Sequence, residues 1–248
     1  MKLDVCFSPV LYPFYAEKNQ IVIIVDIFRA TTSICTAFRN GAKAVITVAS
    51  VEEAVLFKEK GFPVAAERNV KKCEFADFGN SPFDFTPEKV IGKEIVFTTT
   101  NGTKAVEMAL DADEILIGAF SNISVMADYC SSKDKNVLIL CSGWNNRFCI
   151  EDTLFAGALT EKLIQTGNCS KNYVLLITGA ERLRTNIFKS CKFQNGTSRT
   201  TGDDTGTFWR LFHQYGCTAE LTNEVMRNTL VLIQRYFDEF LHCVFFSF

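Results

Sequence analysis

The chain lacks the spacing of a metal-binding or disulfide framework. Its ten cysteines contain no C-x-x-C pair, and only His213 and His242 could join them, which argues against a zinc site of ordinary ligand spacing. The N-terminus has no basic stretch followed by a long apolar run and a small-residue cleavage site, so it reads as carrying no secretory signal. The longest apolar run near it, residues 21–25, falls far short of a membrane span. The cysteines then read as reduced core thiols of a cytoplasmic protein. A charge excess of either sign is missing too. Lys plus Arg is 26 against 28 for Asp plus Glu, a formal net charge of −2. That balance argues against a nucleic-acid or anionic-membrane partner, whose phosphates select for basic proteins. It leaves room for a small basic pocket that takes one anion.

What the chain does have is an α/β rhythm. Residues 21–25 are an unbroken β-branched run ending at Asp26, as in a strand buried on both faces of a parallel sheet. Residues 30–40 have helical spacing closed by Gly41. A strand at 44–48, a helix at 51–60 ended by Gly61, and a strand at 64–66 complete a βαβαβ pass. A second pass runs through a strand at 95–97, a helix at 103–110, a strand at 114–117, a helix at 122–130 and a strand at 137–140. Asp26-Ile-Phe-Arg29-Ala-Thr31 superposes on Thr98-Thr-Thr-Asn101-Gly-Thr103, which suggests a duplicated unit. The expected fold is therefore a three-layer α/β/α with two similar, mainly parallel βαβαβ units. The first unit and its connection fill residues 1–92 and the second residues 93–170. An atypical segment occupies 171–248, with a strand at 174–177, a Gly/Thr/Ser-rich loop at 194–206 and a helix at 221–244.

Ligands of open parallel sheets bind beyond the C-terminal strand ends, where helix N-termini point free N–H groups outward. Polar residues stand at four such places: Asp26 with Arg29, Glu67 with Arg68, the loop from Thr98 to Thr103, and Ser142-Gly143. Glu151-Asp152 follows shortly after the last. Asp26 suits a Mg²⁺ ligand or a general base, and equally the N-cap of the helix that follows. Arg29 could hold that carboxylate or clamp a phosphate through two N–H groups. The hydroxyl-rich loop suits a phosphate at a helix N-terminus, yet also reads as a turn with a cap; it lacks the glycine spacing and Lys-Ser/Thr ending of a Walker A loop. Cys141 and Arg147 form a literal C-x₅-R, a short and non-specific pattern. Acids, arginines and hydroxyls gathered at strand ends are equipment for a metal-held phosphoryl group and an oriented water.

Several motifs occur in one order: Val25-Asp-Ile-Phe-Arg-Ala-Thr-Thr32, Glu67-Arg68, Gly79-Asn-Ser-Pro82, Thr98-Thr-Thr-Asn-Gly-Thr103, Cys141-Ser-Gly143 and Phe148-Cys-Ile-Glu-Asp152. In that order they resemble the 2-phosphosulfolactate phosphatases over roughly residues 1–165. The chain departs from the family pattern at Ala66 and Asn69, where glycines are usual, at Asp84, where a Glu is usual, and from about Lys171 onward.

The resemblance implies Mg²⁺-dependent hydrolysis of a small anionic phosphorylated hydroxy acid, 2-phosphosulfolactate, in the route to coenzyme M. It implies that Asp26, Glu151 and Asp152 help hold Mg²⁺, and that Arg29 and Arg68 neutralise the anionic groups of the substrate. Asn101 and Thr103 are expected on phosphate oxygens and Glu67 on a water or a ligand. Asn80, Ser81 and Ser142 are expected to line the substrate. A homo-oligomer is compatible with the chain, and no membrane partner is expected.

Overall fold

The computed structural model describes residues 1–167. The strand at 174–177, the loop at 194–206 and the helix at 221–244 lie outside the described residues. Eight strands occur: β1 (Leu3–Cys6), β2 (Gln20–Val25), β3 (Ala44–Thr47), β4 (Val64–Arg68), β5 (Lys71–Lys72), β6 (Glu94–Thr98), β7 (Glu114–Gly118) and β8 (Asn136–Cys141). Six α-helices occur among the described residues: α1 (Ala30–Arg39), α2 (Val51–Glu59), α3 (Pro87–Val90), α4 (Gly102–Met108), α5 (Ile123–Ser131) and α6 (Ile150–Gln165). Every element expected between residues 21 and 140 is present, with only small shifts at its ends. The β1, β5, α3 and α6 elements were not foreseen. The first three are short, and α6 buries Thr153, Ala156, Gly157 and Thr160 beside Phe155 and Leu159, which blurs its apolar stripe.

The strands form two four-stranded sheets, ordered β1-β8-β2-β7 and β3-β6-β4-β5. All pairings are parallel except β4 with β5. Each sheet has helices on both faces, so the expected α/β/α layering is found. In the first sheet Ile21, Ile23 and Val25 pack against Met126 of α5 and Phe155 and Leu159 of α6. Val22 and Ile24 pack on the other side against Ala105 of α4 and Tyr12. In the second sheet Ile95 and Phe97 pack against Ala30, Ile34 and Ala37 of α1, while Val64, Ala66 and Val96 pack against Ala54 of α2.

The two passes interlock. Strand β2 opens the first pass and lies between β8 and β7, both from the second. Strand β6 opens the second pass and lies between β3 and β4, both from the first. Each sheet is thus the other with the contributions of the halves exchanged, and both are centred on an opening strand. β2 is buried at all six positions, which is why its sequence is an apolar run rather than an alternation.

The exchange also pairs two tight turns. The link from β4 to β5 has Asn69 and Val70 at φ 52° and 67°. After β8, the bridge between Trp144 and Arg147 encloses Asn145 and Asn146 at φ 50° and 61°. Two residues at positive φ are what a type I′ hairpin turn requires, and Asn accepts that conformation readily. Val70 does not, because its branched Cβ crowds the backbone there. Val70→Gly is expected to raise stability by about 1 kcal/mol, the released strain outweighing glycine's entropy cost. Urea unfolding of the two proteins under one set of conditions measures the difference.

Candidate active site at the junction of the two sheets

The loops after β2 and β6 meet where α1 and α4 begin. A Cβ on Gly102 would stand 2.7 Å from the Ala30 Cβ and 2.9 Å from Asp26 Oδ2. Only glycine permits that approach. The two loops share one latch. The Thr31 hydroxyl donates to the Asp26 carbonyl (2.9 Å) and accepts the Asp26 N–H (3.1 Å). The Thr103 hydroxyl donates to the Thr99 carbonyl (3.0 Å) and accepts the Thr99 N–H (3.2 Å). Thr103 is therefore engaged within its own loop. The first residue after each strand also accepts the N–H four residues on: the Asp26 carboxylate that of Ala30 (3.3 Å) and the Thr99 hydroxyl that of Thr103 (3.4 Å).

Asp26 is buried, and burial pushes its pKa up to about 6; Glu67 adds repulsion, while the N–H groups of Ala30 and Gly102 and the Arg29 charge oppose the rise. Asp152, 2% exposed, accepts the N–H of Ile27 (2.9 Å) and of Gly143 (3.1 Å) through its two oxygens. It thereby ties the ends of the neighbouring strands β2 and β8 to the first turn of α6. Burial, Glu151 and Asp26 hold its pKa well above the ordinary carboxylate value. Between them, the Ser142 hydroxyl is buried without a hydrogen-bond partner, and the Ser142 N–H donates to the Val25 carbonyl (2.7 Å).

On the second sheet, Glu67 is 7% exposed. Its carboxylate accepts the Thr100 hydroxyl (3.2 Å) and the Val70 N–H. Arg68 turns back on the strand ends, donating to the Glu67 carbonyl (2.6 Å), the Thr98 hydroxyl (2.8 Å) and the Ala49 carbonyl (3.3 Å). Asn101 accepts the Asn145 N–H (3.2 Å) through its side-chain oxygen, joining the β6 loop to the hairpin after β8.

Arg29 is half-buried, and its guanidinium makes no hydrogen bond or ion pair among the described residues. Burial lowers its pKa, and Glu67, Asp26 and Asp84 act against that shift. Asn80 lies nearby on α1, where its carbonyl accepts the Ser33 hydroxyl (3.1 Å). Its side-chain oxygen is buried and unpartnered. Ser81 stands half-buried at the start of the following 3-10 turn.

The structure thus brings Asp26, Arg29, Glu67, Glu151 and Asp152 into one electrostatic cluster. Sequence reasoning missed Thr100, which orients Glu67, and Gly102, which admits the close approach of the loops. Both lie inside a loop singled out for its hydroxyls, but nothing in the spacing distinguishes them. Cys141 is no nucleophile. It is 1% exposed, and burial with Asp152, Cys6 and Glu151 nearby holds its thiol pKa well above 9.0, so the thiolate it would need is suppressed.

Among the described residues no three His, Cys, Asp or Glu side chains converge to hold a metal. Mg²⁺ commonly needs only one or two carboxylates, with waters and substrate phosphates filling its shell. Asp26 and Asp152 fit that mode. They are buried hard oxygen donors, Asp26 helps to raise the pKa of Asp152, and a divalent cation relieves such repulsion.

Fold and site define an α/β protein with a buried acidic cluster and, among the described residues, an unpaired Arg29 guanidinium beside it. The description 2-phosphosulpholactate phosphatase matches residues 6–201, and the chain belongs to that family. A probable 2-phosphosulfolactate phosphatase of Caldanaerobacter subterraneus subsp. tengcongensis is 46% identical over 151 residues, 59% of this chain and 62% of that protein. Proteins given the same description from Thermotoga petrophila and Clostridium novyi are 40% and 39% identical, over 62% and 66% of this chain and 67% and 72% of theirs. The chain therefore spans somewhat over three-fifths of the length of the Caldanaerobacter relative.

Asp26 binds its proton more tightly in the folded state than in the unfolded one. Its contribution to stability is fully present below pH 3.8 and is lost as pH rises through about 6. At about 1.36 kcal/mol per unit, the loss is about 3 kcal/mol. Urea unfolding between pH 4 and 8 should show wild type losing about that much relative to Asp26→Asn. Parallel curves for the two proteins would contradict it.

Proposed function

We propose that the chain is a Mg²⁺-dependent phosphatase acting on a small phosphorylated hydroxy acid, 2-phosphosulfolactate, to give sulfolactate and phosphate. Family membership supports the reaction class, and the half-buried, unpartnered Arg29 guanidinium carries the reading to the site. Such a group, flanked by acids it does not pair with, is poised for an anion with bidentate geometry. Arg29 holds the phosphoryl oxygens, and the unpartnered Ser142 hydroxyl and Asn80 side chain offer further polar contacts to the substrate. Asn101, fixed by the Asn145 N–H, borders the same loop.

Asp26, Asp152 and Glu151 would hold Mg²⁺, which when bound would neutralise charge on the phosphoryl group. Glu67, oriented by Thr100 and Val70, takes a proton from the attacking water. The oxygen of that water bonds to phosphorus, the ester P–O bond breaks, and the leaving alkoxide is protonated to the hydroxy acid. Ionised Asp26 is the active form, so activity rises with pH.

Phosphate release from 2-phosphosulfolactate in the presence of Mg²⁺ tests the reading directly. Turnover of this substrate above other phosphorylated hydroxy acids is expected, and no release from any of them overturns the phosphatase reading. Arg29→Ala should lower kcat/KM by roughly 10²- to 10³-fold, the usual cost of removing one donor aimed at developing charge. Mg²⁺ should also raise the Tm of wild type at pH 8 and leave Asp26→Asn unmoved, which differential scanning calorimetry measures.

A further inference from the structure

Arg68 follows Glu67 in sequence but does something different. Its guanidinium joins three strand ends of the second sheet: the Ala49 carbonyl just beyond β3, the Glu67 carbonyl in β4 and the Thr98 hydroxyl at the end of β6. Thr98 is fully buried, and two residues later the Thr100 hydroxyl donates to the Glu67 carboxylate. The bonds close a ring, from Arg68 to Thr98, along the chain to Thr100, across to Glu67 and back through the Glu67 carbonyl. A planar fork reaches acceptors on neighbouring strands at once, which a lysine ammonium on a flexible stem does not reproduce.

We propose that Arg68 is a positioning residue: it fixes the Glu67 carboxylate and the loop after β6, and Arg29 alone of the two arginines receives the phosphoryl group. The proposal rests on the phosphatase reading above. It corresponds on the second sheet to Asp152 on the first, where a carboxylate accepts backbone N–H groups from the ends of β2 and β8. One clasp gathers carbonyls with a cation and the other gathers N–H groups with an anion.

The test compares Arg68→Lys, Arg68→Ala and Thr98→Val with wild type, and adds Glu67→Gln alone and combined with Arg68→Ala. Three quantities are read: Tm without ligand, calorimetric affinity for inorganic phosphate, and kcat and KM for 2-phosphosulfolactate. A clasp predicts that Arg68→Lys and Arg68→Ala both lower Tm and lower kcat about 100-fold, as misplacement of a reacting group does. KM and phosphate affinity stay within about threefold of wild type, and Arg68→Ala costs no further rate in the Glu67→Gln background.

Direct contact with phosphate predicts otherwise. Arg68→Lys would then keep wild-type Tm and most of its rate, Arg68→Ala would bind phosphate about tenfold or more weakly, and its loss would add to that of Glu67→Gln. Either of the last two results overturns the proposal. Should Arg68→Ala not fold, Thr98→Val removes one clasp acceptor without touching any charge, and an unchanged Tm and kcat in that variant overturns it as well. If wild type releases no phosphate from any substrate, the phosphatase reading fails on its own. Tm and phosphate affinity then still decide whether Arg68 clasps or contacts.

Discussion

A buried carboxylate that forms no salt bridge among the described residues organises this molecule. Asp26 sits at the end of a strand with no solvent on either face, where the N-termini of α1 and α4 come together. Taking a charge out of water is costly unless hydrogen bonds or opposite charge compensate. Here the Ala30 and Gly102 N–H groups and the more distant Arg29 supply only part of that compensation, and its pKa rises accordingly. The close packing of two loops, the glycine at position 102 and the latch threonines all follow from bringing two helix starts onto one acid. The surroundings are acidic too: Glu67 repels the Asp26 carboxylate, and Asp26 in turn repels that of Asp152.

Much of this was legible in the sequence because it is periodic or local. The run at 21–25 named its own strand, and the match of the Asp26 loop with the Thr98 loop found two segments that the structure places face to face. What could not be read is partnership. Periodicity tells which residues form a strand but not which strand lies beside it, so the exchange of strands between halves was invisible. Direction was invisible too. Spacing puts Arg68 at a strand end, but whether its side chain points outward or folds back depends on acceptors such as the Ala49 carbonyl, which only the tertiary fold brings near. The sequence places Asp152 shortly after the Ser142-Gly143 strand end; that its oxygens reach Ile27, far away in the chain, needs the register of β2 with β8.

The two sheets use the same backbone plan for different tasks. On the first, the opening strand ends in an acid; on the second, it ends in threonines. β4 ends in a Glu-Arg pair and a Ser-Gly pair follows β8, and each leads into a two-residue turn at positive φ. A pseudo-symmetric frame thus carries an asymmetric set of side chains.

The exchange of strands has a consequence for how the chain reaches its native state. Strand β2 finds both its neighbours far along the sequence, Ile21 beside Glu114 and Gln20 beside Asn136. No stretch near the N-terminus can satisfy its backbone groups, and pairing over such separations is slow because loop closure precedes any gain. During synthesis β2 stays unpaired until β7 has emerged, and it gains its second neighbour only with β8. The site residues at its end acquire their geometry only in that last step, so a properly placed Asp26 reports that the whole of residues 1–141 has closed.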